Sequence, residues 1–193
     1  MRRMLVIAIV AGLLAAATAG CARETEVSAS PTADASAGDR PAEAEEAKEA
    51  EVYVQVLRRY LGTPSENSFP DRTFETVYVL DQAYPDASDP MGKPERGEPI
   101  GPDTRHQITS ALARVAFIPD RTAVIETRNG CAQVKDDGIL ITLATVNGDD
   151  HEVRVGINGF VACLGATWLT YVVHNEPGSG WRVTGTTGPM AIS

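Results

Sequence analysis

Two hydrophobic periods divide the chain from residue 43 onward into helix-like and strand-like stretches. Over residues 43–61, Tyr53, Val56, Leu57, Tyr60 and Leu61 recur at helical spacing and define one apolar face. Early glutamates and the late Arg58-Arg59 complement a helix dipole, and Gly62 followed by Pro64 marks the end. Residues 74–80 (Phe-Glu-Thr-Val-Tyr-Val-Leu) are aromatic and β-branched and predict a strand. Residues 84–101 are dense in Pro, Gly and Asp and predict a long surface loop. Thr104-Arg105-His106-Gln107 has the form of a capping box, in which hydroxyl and amide exchange bonds with free backbone N–H groups. It predicts a second helix with Ile108, Ala111, Leu112 and Val115 on its buried face, turning into a strand over residues 115–118.

The remaining pattern has period two. Residues 138–146 predict a strand, Asn147-Gly148-Asp149-Asp150 a hairpin turn, and residues 151–157 the returning strand. Residues 166–174 predict the next strand, which Pro177-Gly178-Ser179-Gly180 turns into a last one over residues 181–184. Helices first and hairpins later predict an α+β domain over residues 46–193. In it, two helices pack on one face of an antiparallel, mostly meander β-sheet. Gly180-Trp181-Arg182-Val183 after a hairpin resembles the last strand of NTF2-like cone-shaped domains. That resemblance implies a curved sheet with a pocket. The family hosts both enzymes and binding modules, so it leaves the function open. The strand between the two helices departs from the family pattern.

The N-terminal part reads differently. Met1-Arg2-Arg3 is positive, residues 4–17 are apolar apart from Gly12, and Thr18, Ala19 and Gly20 are small. This is the form of a secretory signal over residues 1–20. The apolar run falls short of the ~20 residues a membrane span needs, and no basic stop follows it. Arg2-Arg3 also admits a twin-arginine reading, which the surrounding residues fit poorly. Ala17-Thr18-Ala19-Gly20-Cys21 resembles the lipobox of bacterial lipoprotein precursors, with Thr18 where Leu is commonest. The resemblance implies a diacylglycerol on the Cys21 sulfur, with Cys21 as the new N-terminus. It further implies a lipid-anchored protein on the extracytoplasmic face of the cell membrane. Two acyl chains hold firmly where one binds reversibly. The alternative is an ordinary signal cut elsewhere, with Cys21 a free thiol.

Composition then fixes the tether. Residues 21–45 are rich in Ala, Ser, Thr, Pro, Asp and Glu, with Val27 the one large aliphatic residue. Such a stretch buries too little apolar surface to offset its ordering entropy and predicts a flexible acidic tether. About 25 coil residues reach on the order of 25–30 Å. The chain carries 26 acidic against 17 basic residues, a formal net charge of −9. No basic patch with interleaved aromatics appears, so nucleic acid is not an expected partner. The expected partners are the membrane, through the anchor, and an unidentified component of the cell envelope. Cys131 and Cys163 are an even pair in an oxidising compartment and predict a disulfide. Two separate buried thiols, or a catalytic Cys with a His, are the alternatives.

Candidate chemistry is sparse. His106 falls in the first turn of the second helix, where an exposed residue is the plain reading. Asp149-Asp150-His151 and His174-Asn175-Glu176 sit at hairpins, where solvated turns are commoner than metal sites. Asp81 ends a strand before the long loop and is a candidate for catalysis together with His174. Trp168, Tyr171 and Trp181 read as packing. No nucleophile elbow, phosphate-binding glycine loop, Cys-x-x-Cys or His-Glu-x-x-His is present, and no cofactor or metal is expected. The favoured expectation is a membrane-anchored lipoprotein with a noncatalytic binding or structural domain. The alternatives are a tethered hydrolase using Asp81 and a histidine in a sheet pocket, or a small-ligand carrier.

Overall fold

The computed structural model describes residues 39–69, 72–92 and 96–193. The export segment, Cys21 and the tether up to residue 38 lie outside these. Helix α1 (Asp39–Gly62) begins within the stretch expected as tether. Ala, Glu, Lys and Leu are strong helix formers and carry the helix back past its last buried contact. Its C-terminal half buries Val52, Tyr53, Val56, Leu57 and Tyr60, while residues 41–45 are exposed. The one-turn helix α2 (Pro64–Asn67) follows. Asn67, 2 % exposed, donates its Nδ2 to the Tyr60 carbonyl at 2.8 Å and accepts from the Phe69 N–H at 2.8 Å. A free carbonyl at the end of α1 is thereby satisfied.

Among the described residues the main sheet has nine strands. Strand β1 (Val77–Leu80) is followed by the short ladder of β2 (Gln82–Ala83) with β3 (Glu98–Pro99), inside the expected loop. Helix α3 (Pro102–Ala111) then leads to β4 (Val115–Ile118). A 3-10 turn at Arg121–Ala123 enters the hairpin of β5 (Ile125–Arg128) and β6 (Cys131–Val134). Strands β7 (Ile139–Leu143), β8 (Asn147–Gly148), β9 (Glu152–Ala162), β10 (Gly165–Glu176) and β11 (Gly180–Ile192) complete the chain. The order is β11-β10-β9-β7-β1-β4, with β5, β6 and β8 attached off this path.

The architecture is α+β, but the sheet is mixed. From β7 onward the ladder is antiparallel. Strand β1, in contrast, runs parallel to both β4 and β7. For β4 the reason is α3: a helix between two strands reverses the chain twice, so the strands point the same way. The start of α3 also differs from the capping-box expectation. Pro102 sits at its first position after Gly101, and no side chain caps it. Proline's fixed φ suits that position. Thr104 therefore falls inside the helix, fully buried, and donates its Oγ1 to the Glu46 carbonyl at 3.3 Å and to Glu49 Oε2 at 3.2 Å. Ile108 is buried, whereas Ala111 is exposed.

Both long helices cover one face of the sheet. There α1 packs on Val77 and Val79, Ile139 and Ile141, Val153, Val155 and Ile157, and Leu169, Tyr171 and Val173. These are the alternate residues of each strand, as the pleat requires. The opposite face carries a second, smaller cluster of Tyr78, Leu80 and Leu140 under Val124 and Val134. The loop after β2 crosses this face as well. A Cβ at Gly156 would stand 2.7 Å from Ser88 Oγ, and the Thr170 hydroxyl donates to Ser88 Oγ at 2.9 Å.

Candidate functional site

Between that loop and the β5–β6 hairpin, the helix-free face is open. Leu80 of β1, Leu140 and Thr142 of β7, Asn158 and Phe160 of β9, and Ala166 and Trp168 of β10 line a groove of about 340 Å³. They come from four adjacent strands, and register sets them side by side. Leu140 stands opposite Phe160 and Thr142 opposite Asn158, while Phe160 faces Ala166 and Asn158 faces Trp168. The volume falls in the range of small-ligand sites, about 300–1,000 Å³.

Polar groups frame this apolar floor. Asn158 is fixed by donating its Nδ2 to the Thr167 carbonyl at 3.0 Å. Among the described residues, the Thr142 hydroxyl and the Trp168 indole N–H make no hydrogen bond, and the Arg121 guanidinium makes no hydrogen bond or ion pair. Arg121 reaches the rim from the 3-10 turn. Its neighbour Asp120 is already engaged: Oδ1 accepts from the Thr122 N–H at 2.7 Å, and that bond holds the carboxyl below its ordinary range. Cys163 forms another part of the rim. It lies in the β9–β10 turn, disulfide-bonded to Cys131 at the start of β6, with 5.3 Å between the Cα atoms. The bridge ties the hairpin to the turn, beside a hydrogen bond from the Cys163 N–H to the Ala132 carbonyl at 2.8 Å.

The residues singled out by sequence lie apart from one another. Asp81 directly follows β1, half-buried, with Oδ2 3.8 Å from Arg105 Nη1 on α3. His174 sits on β10, its Nε2 3.0 Å from Glu152 Oε2 on the facing strand. Two strands separate β1 from β10, so at ~4.8 Å per step the two strands lie roughly 14 Å apart. The hydrolase constellation of Asp81 with His174 is not assembled. Asp149 Oδ1 accepts from the N–H groups of His151 and Glu152, at 2.7 and 2.9 Å, and so serves the turn. Asp150 receives Lys48 Nζ at 3.1 Å, docking α1 on the hairpin. His106 is exposed on α3. Among the described residues, no three His, Cys, Asp or Glu side chains are placed to share a metal ion.

The aromatic residues divide. Tyr171 and Trp181 are core. Tyr171 donates its hydroxyl to Glu66 Oε2 at 2.8 Å, and burial pushes its pKa up. Glu51 Oε1 accepts from the Trp181 N–H at 3.0 Å. Trp168, in contrast, is only half-buried and faces the groove. Arg121, Asn158 and Phe160 escaped the sequence reading. The returning strand was expected over residues 151–157, whereas β9 runs on to Ala162 and carries Asn158 and Phe160 into the groove. No protein-family model, curated protein or solved structure matches this chain.

Proposed function

We propose that this chain is a lipid-anchored lipoprotein of the extracytoplasmic membrane face, and that its domain is a noncatalytic binding module. Small residues ending in Cys21 directly after a short apolar run carry the anchoring. One further feature supports it. The Cys131–Cys163 disulfide suits an oxidising compartment. No helix among the described residues is long and apolar enough to cross a membrane. The open groove on the helix-free face carries the binding half of the reading. Asp81 and His174, each paired to its own neighbour, give the hydrolase alternative no shared site. Intact mass of the membrane-extracted protein tests the anchor: diacylglycerol on Cys21 is the expected result. A Cys21→Ala variant is expected in the soluble fraction after lysis, and its retention in the membrane would sink the proposal.

A further inference from the structure

We infer that the groove on the helix-free face takes a small amphiphilic anion, with its charged head on Arg121 and its apolar body on Trp168 and Phe160. This deepens the reading of the domain as a binding module and rests on it. Three features of the groove select that chemistry. Its floor of Leu80, Leu140, Phe160 and Trp168 favours an apolar body, and the half-buried indole and phenyl rings offer faces to stack on. At about 340 Å³ it stands near the small end of ligand sites, the size of a short alkyl chain or a fused ring pair rather than a long lipid. Its rim presents one guanidinium, Arg121, that makes no ion pair within 4.0 Å among the described residues, although its charge acts on the neighbouring Asp120 carboxyl.

An arginine offers planar paired donors that match a carboxylate or similar oxyanion. Asp120, the nearest acidic neighbour in sequence, has its carboxylate committed to the Thr122 N–H. The acidic half of α1, with Glu43, Glu45, Glu46, Glu49 and Glu51, belongs to the helix on the opposite face of the sheet. Its repulsion of an anion at Arg121 is weakened by a Debye length of about 8 Å at physiological salt.

Tryptophan fluorescence of the full-length chain tests the assignment. The chain has two tryptophans, and Trp181 is only 5 % exposed, so quenching by a bound molecule in the groove reports on Trp168. The probes are ω-bromooctanoate and its neutral counterpart ω-bromooctanol, whose bromine quenches indole on contact. Saturable quenching is expected with the acid at lower concentration than with the alcohol. Arg121→Gln should raise the half-saturating concentration of the acid about tenfold, the factor one charge-assisted hydrogen bond contributes, and leave the alcohol unchanged. Trp168→Phe should abolish the saturable component for both. If neither probe quenches saturably, the groove is not a binding site and the binding-module reading falls with it. If both saturate alike and Arg121→Gln alters neither, the groove binds but the anionic assignment is overturned. Release of Cys21→Ala from the membrane is independent of all of these outcomes.

Discussion

Tyr60 and Gly159 show how closely α1 sits on the sheet. Tyr60 and Thr167 share a buried hydroxyl–hydroxyl hydrogen bond, and burial holds the Tyr60 pKa up at about 12. A Cβ at Gly159 would stand 2.7 Å from the Tyr60 Cζ. The ring has nowhere to retreat, because its hydroxyl is bonded beneath the sheet. Gly159→Ala should therefore cost about 1–3 kcal/mol, the usual penalty of overpacking, read as a lower urea midpoint. Two glutamates give stability opposite dependences on pH. The Arg59 guanidinium holds the Glu66 carboxyl below its ordinary 4.5, so its contribution is present above that pH and fades as pH falls through the lowered value. Burial beside Glu46 and Glu98 raises the Glu49 carboxyl above 4.5. Its folded form binds the proton more tightly, so its contribution is lost as pH rises from 4.5 through the raised value. Urea midpoints should show Glu49→Gln gaining on the parent protein as pH rises above 4.5, whereas the deficit of Glu66→Gln should be constant above that pH and shrink only as pH falls below it.

At the scale of elements, the chain's three Asn-Gly pairs show what local signals decide. Asn129-Gly130 makes the tight β5–β6 turn, both residues at positive φ, 51° and 76°. Asn147-Gly148 forms β8 instead, pairing with Val153 and Arg154, and the turn itself falls on the residues that follow. Asn158-Gly159 lies within β9, where glycine serves the approach of Tyr60. The same dipeptide thus has three outcomes, chosen by what packs against it. The strand–helix–strand order implies the parallel pairing of β1 with β4, although an antiparallel sheet was expected, and Pro102 at the first helical position moves Thr104 off the cap, where its hydroxyl meets α1. The disulfide spans 32 residues, and in the chain-entropy model closing such a loop contributes about 3–4 kcal/mol. Serine at both Cys131 and Cys163 should lower the unfolding free energy by that amount, measured by urea titration. Faster hydrogen exchange should be confined to the β5–β6 hairpin and the β9–β10 turn.

For the whole molecule, one helix does most of the covering. The C-terminal half of α1 closes the main core, so its amides should open only with the domain. Hydrogen exchange of residues 52–60 is expected to match that of β9 and β10. Residues 41–47, without that burial, should exchange about a hundredfold faster or more. Sequence alone was enough for the α+β class, the covering face of α1 and most strands from β7 onward, and it offered the pairing of Cys131 with Cys163 as one of three readings. Those features follow from periodicity, turn chemistry and cysteine count, all of which act over short stretches or need no geometry. The long-range fold was needed for the parallel pairing of β1 with β7, the separation of Asp81 from His174, and the groove. The groove is made of Leu80, Thr142, Asn158, Phe160 and Trp168, residues drawn from four strands and unremarkable in sequence. Strand order and register bring them together, and the β5–β6 hairpin and the loop bearing Ser88 leave that part of the face uncovered.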